Sequence, residues 1–181
     1  MGEIVIVTDR LRLRPVRSED LEVIEALGAD PRVMMWFGGT MTAEKSGAWL
    51  ERQLRHWREH GYGRFAVERE GVVVGFVGLS QADFDAGIVP AVEVAWRLVF
   101  DHWGQGYATE GARAAIRDGF ERLGLDEIVG VTTPGNTRSR RVMDRLGMVH
   151  TPTDTLEHPS VPEGDPLRLH VVYRISRTAS R

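Results

Sequence analysis

A single mixed α/β domain, a sheet with helices packed on its faces, is the fold class this sequence predicts. Three observations lead there. The chain has 181 residues, of which 42% are hydrophobic, enough for one sizeable core and too few for two ordinary domains. Segments that alternate apolar and polar residues interleave with segments whose apolar residues recur every three or four positions, so strands and helices share the chain. The Gly- and Pro-bearing stretches fall between those segments and act as punctuation. One domain over residues 1–176 with a polar tail at 177–181 is the expected organisation.

Taken in order, Leu11 and Leu13 alternate with Arg10, Arg12 and Arg14, which gives a strand with one apolar face and one solvated basic face, ended by Pro15. Ser18, Glu19 and Asp20 open a helix striped by Leu21, Ile24 and Leu27 and closed by Gly28. Asp30 to Gly39 crowds Met34, Met35, Trp36 and Phe37 beside two glycines, a composition that lines a pocket or caps the core. Thr42 starts a helix to about Gly61 with Trp49, Leu50, Leu54 and Trp57 inward. His56 and His60 on it have the i,i+4 spacing of metal ligands, but no third ligand follows them, and a solvated helix end explains them. Arg64–Arg69 and Val72–Leu79 meet at Glu70-Gly71 as a hairpin. Residues 87–90 supply the turn into the next strand, and 127–132 and Leu167–Ile175 are the later strands. The loop from Thr151 to Pro166, with four prolines and the acids Asp154, Glu157, Glu163 and Asp165, reads as a functional flap or a disordered connection.

Charge and composition exclude several classes of function. A formal charge of −3 and a pI near 6.1 leave no basic footprint for duplex nucleic acid, although Arg138, Arg140, Arg141 and Arg145 cluster locally. Without cysteine there is no disulfide, no thiolate metal site and no acyl-cysteine intermediate. The opening residues lack a secretory pattern and no apolar run reaches membrane-spanning length, so a soluble cytoplasmic protein without a membrane partner is expected.

The chemistry concentrates in two strand-to-helix turns. Val92 to Val99 is a strand, and Phe100-Asp-His-Trp-Gly-Gln-Gly-Tyr-Ala-Thr-Glu110 is a glycine-bearing loop running into a helix. Ala108, Ala112, Ala115/Ile116, Gly119/Phe120 and Leu123 carry that helix to its stop at Gly124. Gly104 and Gly106 let backbone approach a ligand, and the helix aims its unpaired N–H groups there, which makes an anion site. A tight turn with no ligand accounts for the same two glycines. The second turn, Pro134 to Met148, again joins a strand to a short helix.

Glu93-Val-Ala-Trp, Trp103-Gly-Gln-Gly-Tyr-Ala-Thr-Glu and Asn136-Thr-Arg-Ser-Arg-Arg-Val-Met-Asp-Arg-Leu-Gly-Met, in this order after Asp9-Arg-Leu-Arg-Leu-Arg-Pro, together resemble the GCN5-related N-acetyltransferases (GNAT). Their ribosomal-protein N-terminal alanine acetyltransferase (RimJ/RimL-like) branch is the part they look most like. The resemblance implies a central, mostly antiparallel sheet with one splayed parallel pair and helices on both faces. It implies acetyl-CoA as co-substrate, no metal, and an amine acceptor that is a peptide N-terminus or a small molecule. Carried onto this sequence, the pantetheine arm would lie along Trp96, Arg97 and Leu98. The pyrophosphate would rest on His102, Trp103, Gly104, Gln105, Gly106, Tyr107, Ala108 and Thr109, with Asp101 standing where the family loop usually has Gln or Arg. Asn136 would bridge the pantetheine amide. Glu93 would act as the base, and Ser139 would donate to the sulfur in place of the tyrosine of many members, absent here from 136–148. The 151–166 loop would lie on the acceptor side.

The residues alone also allow plainer roles: Glu93 pairing with an arginine of a neighbouring strand, Asn136 as a helix cap with Ser139 in the first turn. A CoA-binding sensor without turnover is the alternative function, and a nucleic-acid module built on the arginine cluster is a third. Edge strands are compatible with a monomer or a homodimer.

Overall fold

The computed structural model describes residues 4–82 and 91–177. Its eight strands form one sheet in the order β1-β2-β3-β4-β5-β6-β8-β7: β1 (Ile6–Val7), β2 (Arg12–Pro15), β3 (Arg64–Arg69), β4 (Val72–Gln81), β5 (Val92–Leu98), β6 (Glu127–Thr132), β7 (Thr155–Glu157) and β8 (Leu169–Ser176). Every neighbouring pair is antiparallel except β5 and β6. Those two share one registered position, Glu93 opposite Val129, although β5 runs on to Leu98 and β6 to Thr132. Past that point the strands part, and the edge of β5 is left open.

Among the described residues five α-helices cover the sheet: α1 (Leu21–Ala29), α2 (Pro31–Met34), α3 (Ala43–His60), α4 (Tyr107–Glu121) and α5 (Thr137–Arg145). Strand alternation divides the core between the faces. Val67, Val77, Leu79, Val94 and Leu98 point to the α4 side, where they meet Ala112, Ala115, Ile116 and Phe120. Ala66 and Phe76 point the other way, into Ile24, Leu27, Val33 and Leu50 of α1 to α3. Small residues bring α4 close to the sheet. A Cβ at Gly119 would stand 2.7 Å from a methyl of Leu79 and 2.9 Å from one of Ile128, so larger side chains there would lever the helix away.

The caps explain where α3 begins and ends. The Thr42 hydroxyl accepts from the Lys45 N–H, and Gly61 stops the helix in the left-handed conformation at φ 71°. Gly28 does not close α1: it is buried inside the helix against Met41 and Ser46. The helix ends instead at Ala29, where extended Asp30 precedes Pro31 and starts α2 by accepting from the Arg32 N–H.

Three further expectations change. The basic face of β2 is not simply solvated: Arg14 is buried, its Nε donates to Glu68 at 2.6 Å, and Nη1 and Nη2 donate to buried Asp20 at 2.9 and 2.7 Å. The 151–166 segment holds β7 on the sheet edge, beside β8. Three of its acids bond locally: Asp154 accepts from Thr151, Glu157 pairs with Arg168 and Asp165 accepts from the Leu167 N–H. Arg177, expected to begin the tail, is instead tied to the domain: it pairs with Asp126 and donates to the Leu125 carbonyl. The turn expected at 87–90 and the tail at 178–181 lie outside the described residues. Among the described residues no helix is long and apolar enough to cross a membrane.

Candidate active site

The parting of β5 from β6 opens a cleft whose floor is the exposed edge of β5. After Leu98 the chain makes a single 3-10 turn, Phe100–His102, fixed by the Trp103 indole donating to the Leu98 carbonyl at 2.8 Å. Gly104 and Gly106 then take φ of 75° and 85°, a region open to glycine at little cost. A Cβ at Gly104 would meet nothing within 4 Å, so its backbone fronts open space. Gly106 leads into α4, whose first intrahelical acceptor is the Gly106 carbonyl, taken by Glu110. The N–H groups of Tyr107, Ala108 and Thr109 face the cleft end of the helix with its positive dipole.

A cavity of about 540 Å³ follows this path. Trp96, Arg97, Leu98, His102, Trp103, Gly104, Gly106, Tyr107, Ala108, Thr109, Asn136 and Ser139 all line it, and Arg138, Arg141 and Arg145 add positive charge from α5. Gln105 is the exception among the expected contacts: it lies outside the lining, its amide donating to the Asp101 carbonyl and its own carbonyl accepting from Arg10. Arg10 in turn pairs with Glu110 at 2.6 Å, which ties the N-terminal segment to the first turn of α4. The glycine loop, the helix N-terminus and the arginines suit a long ligand with several phosphates.

A second cavity of about 230 Å³ adjoins the first through shared walls at Trp36, Phe37, Trp96, Arg97, Asn136 and Ser139. Glu93 lies here, not in the larger cleft, with Arg64, Trp49, His158 and His170 around it. Glu93 is 15% exposed, and its Oε2 stands 3.9 Å from an Arg64 nitrogen. The arginine-pairing role is therefore partly realised, at a distance too long for a hydrogen bond. Burial, with Arg168's carbonyl opposing, holds His170 below its usual imidazole range.

At the junction, Asn136 caps α5: its Oδ1 accepts from the Ser139 N–H at 3.3 Å, and its Nδ2 donates to Thr132 Oγ1 at 3.0 Å and to Ser139 Oγ at 3.1 Å. All three interactions are internal, so the capping role is the one the geometry fills. Ser139 Oγ accepts from Asn136, which leaves its own proton for a group in the cleft.

The sequence reading missed Arg64, Trp49, His158 and His170 as cavity residues. A signal existed for Arg64: β3 and β5 flank β4, and the register Arg64–Gly78–Ala95 puts Arg64 on the face of Glu93. No local pattern marks the others, because the fold brings them from α3, the 151–166 segment and β8. His56 and His60 remain a ring pair at 4.4 Å beside Tyr62, and among the described residues no three His, Asp or Glu side chains gather to hold a metal.

Residues 10–149 match the acetyltransferase (GNAT) domain family. The chain belongs to that family. This acetyltransferase is 32% identical over 169 residues to the FsC-acetyl coenzyme A-N(2)-transacetylase of Aspergillus fumigatus, across 87% of this chain and 70% of that protein. It is 30% identical over 151 residues to the uncharacterised YkkB of Bacillus subtilis, across 82% and 87%. An acetyltransferase structure from Agrobacterium tumefaciens superposes with a TM-score of 0.79 at 28% identity, covering 98% of this chain and 96% of that one. The ribosomal L7/L12 α-N-protein acetyltransferase RimL, solved with coenzyme A, shares the fold at a TM-score of 0.76 and 15% identity. Membership makes the protein an acetyl-CoA-dependent N-acetyltransferase.

Proposed function

We propose that acetyl-CoA and a primary amine bind together, one in each cavity, and that acetyl passes directly between them. The observation that carries this reading is the pair of adjoining cavities, one ending on the glycine loop and the other holding Glu93, with Ser139 in the wall they share. The absence of cysteine fits direct transfer without an acyl-thiol intermediate.

Each residue then has a task. The open edge of β5 at Trp96 to Leu98 offers backbone groups to the pantetheine amides, and its N–H groups are the donors available to a developing oxyanion. The loop from His102 to Thr109 holds the pyrophosphate with its amides, and Arg138, Arg141 and Arg145 neutralise it. Glu93 accepts the proton that the amine must shed, directly or through a water. An α-amino group, with a reference pKa of roughly 7.7 to 8.0, asks less of it than a lysine near 10.4. As the C–N bond forms and the C–S bond breaks, Ser139 donates a hydrogen bond to the departing sulfur, and CoA leaves as the thiol with a proton from solvent. Asn136 orients Ser139 for that donation. A peptide N-terminus, the acceptor named for RimL, and a small amine both remain acceptors this arrangement accommodates.

Thermal unfolding with acetyl-CoA tests the binding half. At a hundred times its Kd the ligand adds about 2.7 kcal/mol to stability, and an unmoved midpoint would refute it. Thiol release with amine and peptide panels tests the chemical half: Glu93→Gln should lower release by about a hundredfold while keeping the acetyl-CoA shift. A wild-type protein that binds acetyl-CoA and turns over no amine would favour the sensor instead.

A further inference from the structure

The wall that the two cavities share contains a cationic side chain that the mechanism above does not use. Arg97 lies on the same face of β5 as Glu93, four residues along, and both look toward α2 and α3. Its guanidinium rests over the Phe37 ring at 4.1 Å and near the Trp49 ring at 5.9 Å. Among the described residues it has no hydrogen bond and no carboxylate partner. Removal from water, together with repulsion from nearby Arg64, pushes its pKa down to about 10, so its charge is held at a cost.

The surroundings sharpen the point. Three acids of the 151–166 segment, Asp154, Glu157 and Asp165, are engaged by Thr151, Arg168 and the Leu167 N–H rather than by this charge. His158 and His170 line the cavity instead, and among the described residues Glu93 is its one acid. The aromatic rings hold the flat guanidinium in place and leave its N–H edge to bond. A cavity with a proton acceptor at one end and a positioned fork of donors at the other matches a molecule with an amine and an oxyanion.

From this geometry we infer that the acceptor is a small primary amine that also carries a carboxylate or a phosphate-type group, and that the Arg97 side chain binds that group. The inference rests on the acceptor assignment of the smaller cavity and narrows it. It makes the free amino acid or a close analogue a better acceptor than the N-terminus of a folded protein. The backbone of Arg97 keeps its place on the open strand edge, since side chain and backbone project in different directions.

The test compares acids with their own amides. Wild type, Arg97→Gln and Arg97→Lys would be assayed by thiol release with the proteinogenic amino acids and β-alanine, each against its carboxamide. The 2-aminoethylphosphonate analogue of β-alanine separates carboxylate from phosphate-type recognition. At least one acid should exceed its amide in kcat/KM by about 30-fold in wild type, the scale of a charge-assisted bidentate contact. That ratio should fall below about threefold in Arg97→Gln, and the lysine variant should recover part of it. Independently of turnover, the N-acetylated form of the preferred acid should quench tryptophan fluorescence of the CoA-saturated protein, through Trp36, Trp49 and Trp96, and the corresponding amide should not. Acids and amides used alike, a ratio unmoved by Arg97→Gln, or no quenching by any N-acetyl acid would overturn the inference. Failure of the acetyltransferase reading would show separately, as loss of the acetyl-CoA shift in unfolding. Unfolding midpoints of both variants establish that they are folded.

Discussion

Two arginines on this sheet are drawn from water, Arg14 buried and Arg97 half-buried, and they are treated in opposite ways. Arg14 on β2 is enclosed by Asp20 and Glu68 and also donates to the Pro15 carbonyl, so nearly all of its donors are used. Hydrogen bonding to Asp20 raises its pKa against the pull of burial. Among the described residues Arg97 on β5 has aromatic faces and no acid partner, and burial drives its pKa down. A cation closed by its own chain fixes the fold, whereas one left open beside a cavity is available to a ligand. The same residue type on the same sheet therefore serves structure in one place and recognition in the other.

The largest way to break that contrast is to open the closed site. Asp20→Ala should destabilise by about 3 kcal/mol, because it takes two charge-assisted hydrogen bonds from a buried guanidinium. Arg97→Gln should leave the urea midpoint unchanged or raise it. Equal losses in the two variants would erase the distinction. Within the cavity, Glu93→Gln should lower kcat by about a hundredfold at neutral pH, and raising the pH should restore part of the rate by supplying neutral amine. Ser139→Ala should cost about tenfold in kcat with KM for acetyl-CoA little changed.

Acid titration gives the smallest and most local effect. Burial tends to raise the pKa of Glu68, but hydrogen bonds from Arg12 and Arg14 outweigh it and hold the carboxylate below its ordinary range. A depressed carboxylate contributes stability that is fully present above its unfolded pKa, about 4.3, and that is lost as pH falls through the folded value. Urea midpoints should drop below about pH 4, and Glu68→Gln should flatten that drop.

Much of the fold was legible in the chain, and the pattern of misses is physical. The β5–loop–α4 unit declared itself because strand alternation, two glycines and a helical stripe occur within thirty residues of one another; β6 with α5, and α3 with its Thr42 and Gly61 ends, did so by the same local means. Arg14 was not legible, since its partner Glu68 is 54 residues away and alternation alone presents it as solvated. Gly28 misled as a terminator because its lack of a side chain serves packing on Met41 and Ser46. β7 has only three residues, too few for a periodic signal. At the site, Glu93, Ser139 and the glycine loop could be singled out from the motifs. Trp49, His158 and His170 could not, because only the folding of α3, β8 and the 151–166 segment around one cavity makes them neighbours.

The central claim is that both substrates occupy adjoining cavities before acetyl moves, and an initial-rate grid tests it most directly. With acetyl-CoA and the best acceptor both varied, double-reciprocal plots should intersect, as a ternary complex requires. Parallel lines, with stoichiometric acetylation of the protein by acetyl-CoA alone, would show an acetyl-enzyme and contradict the account.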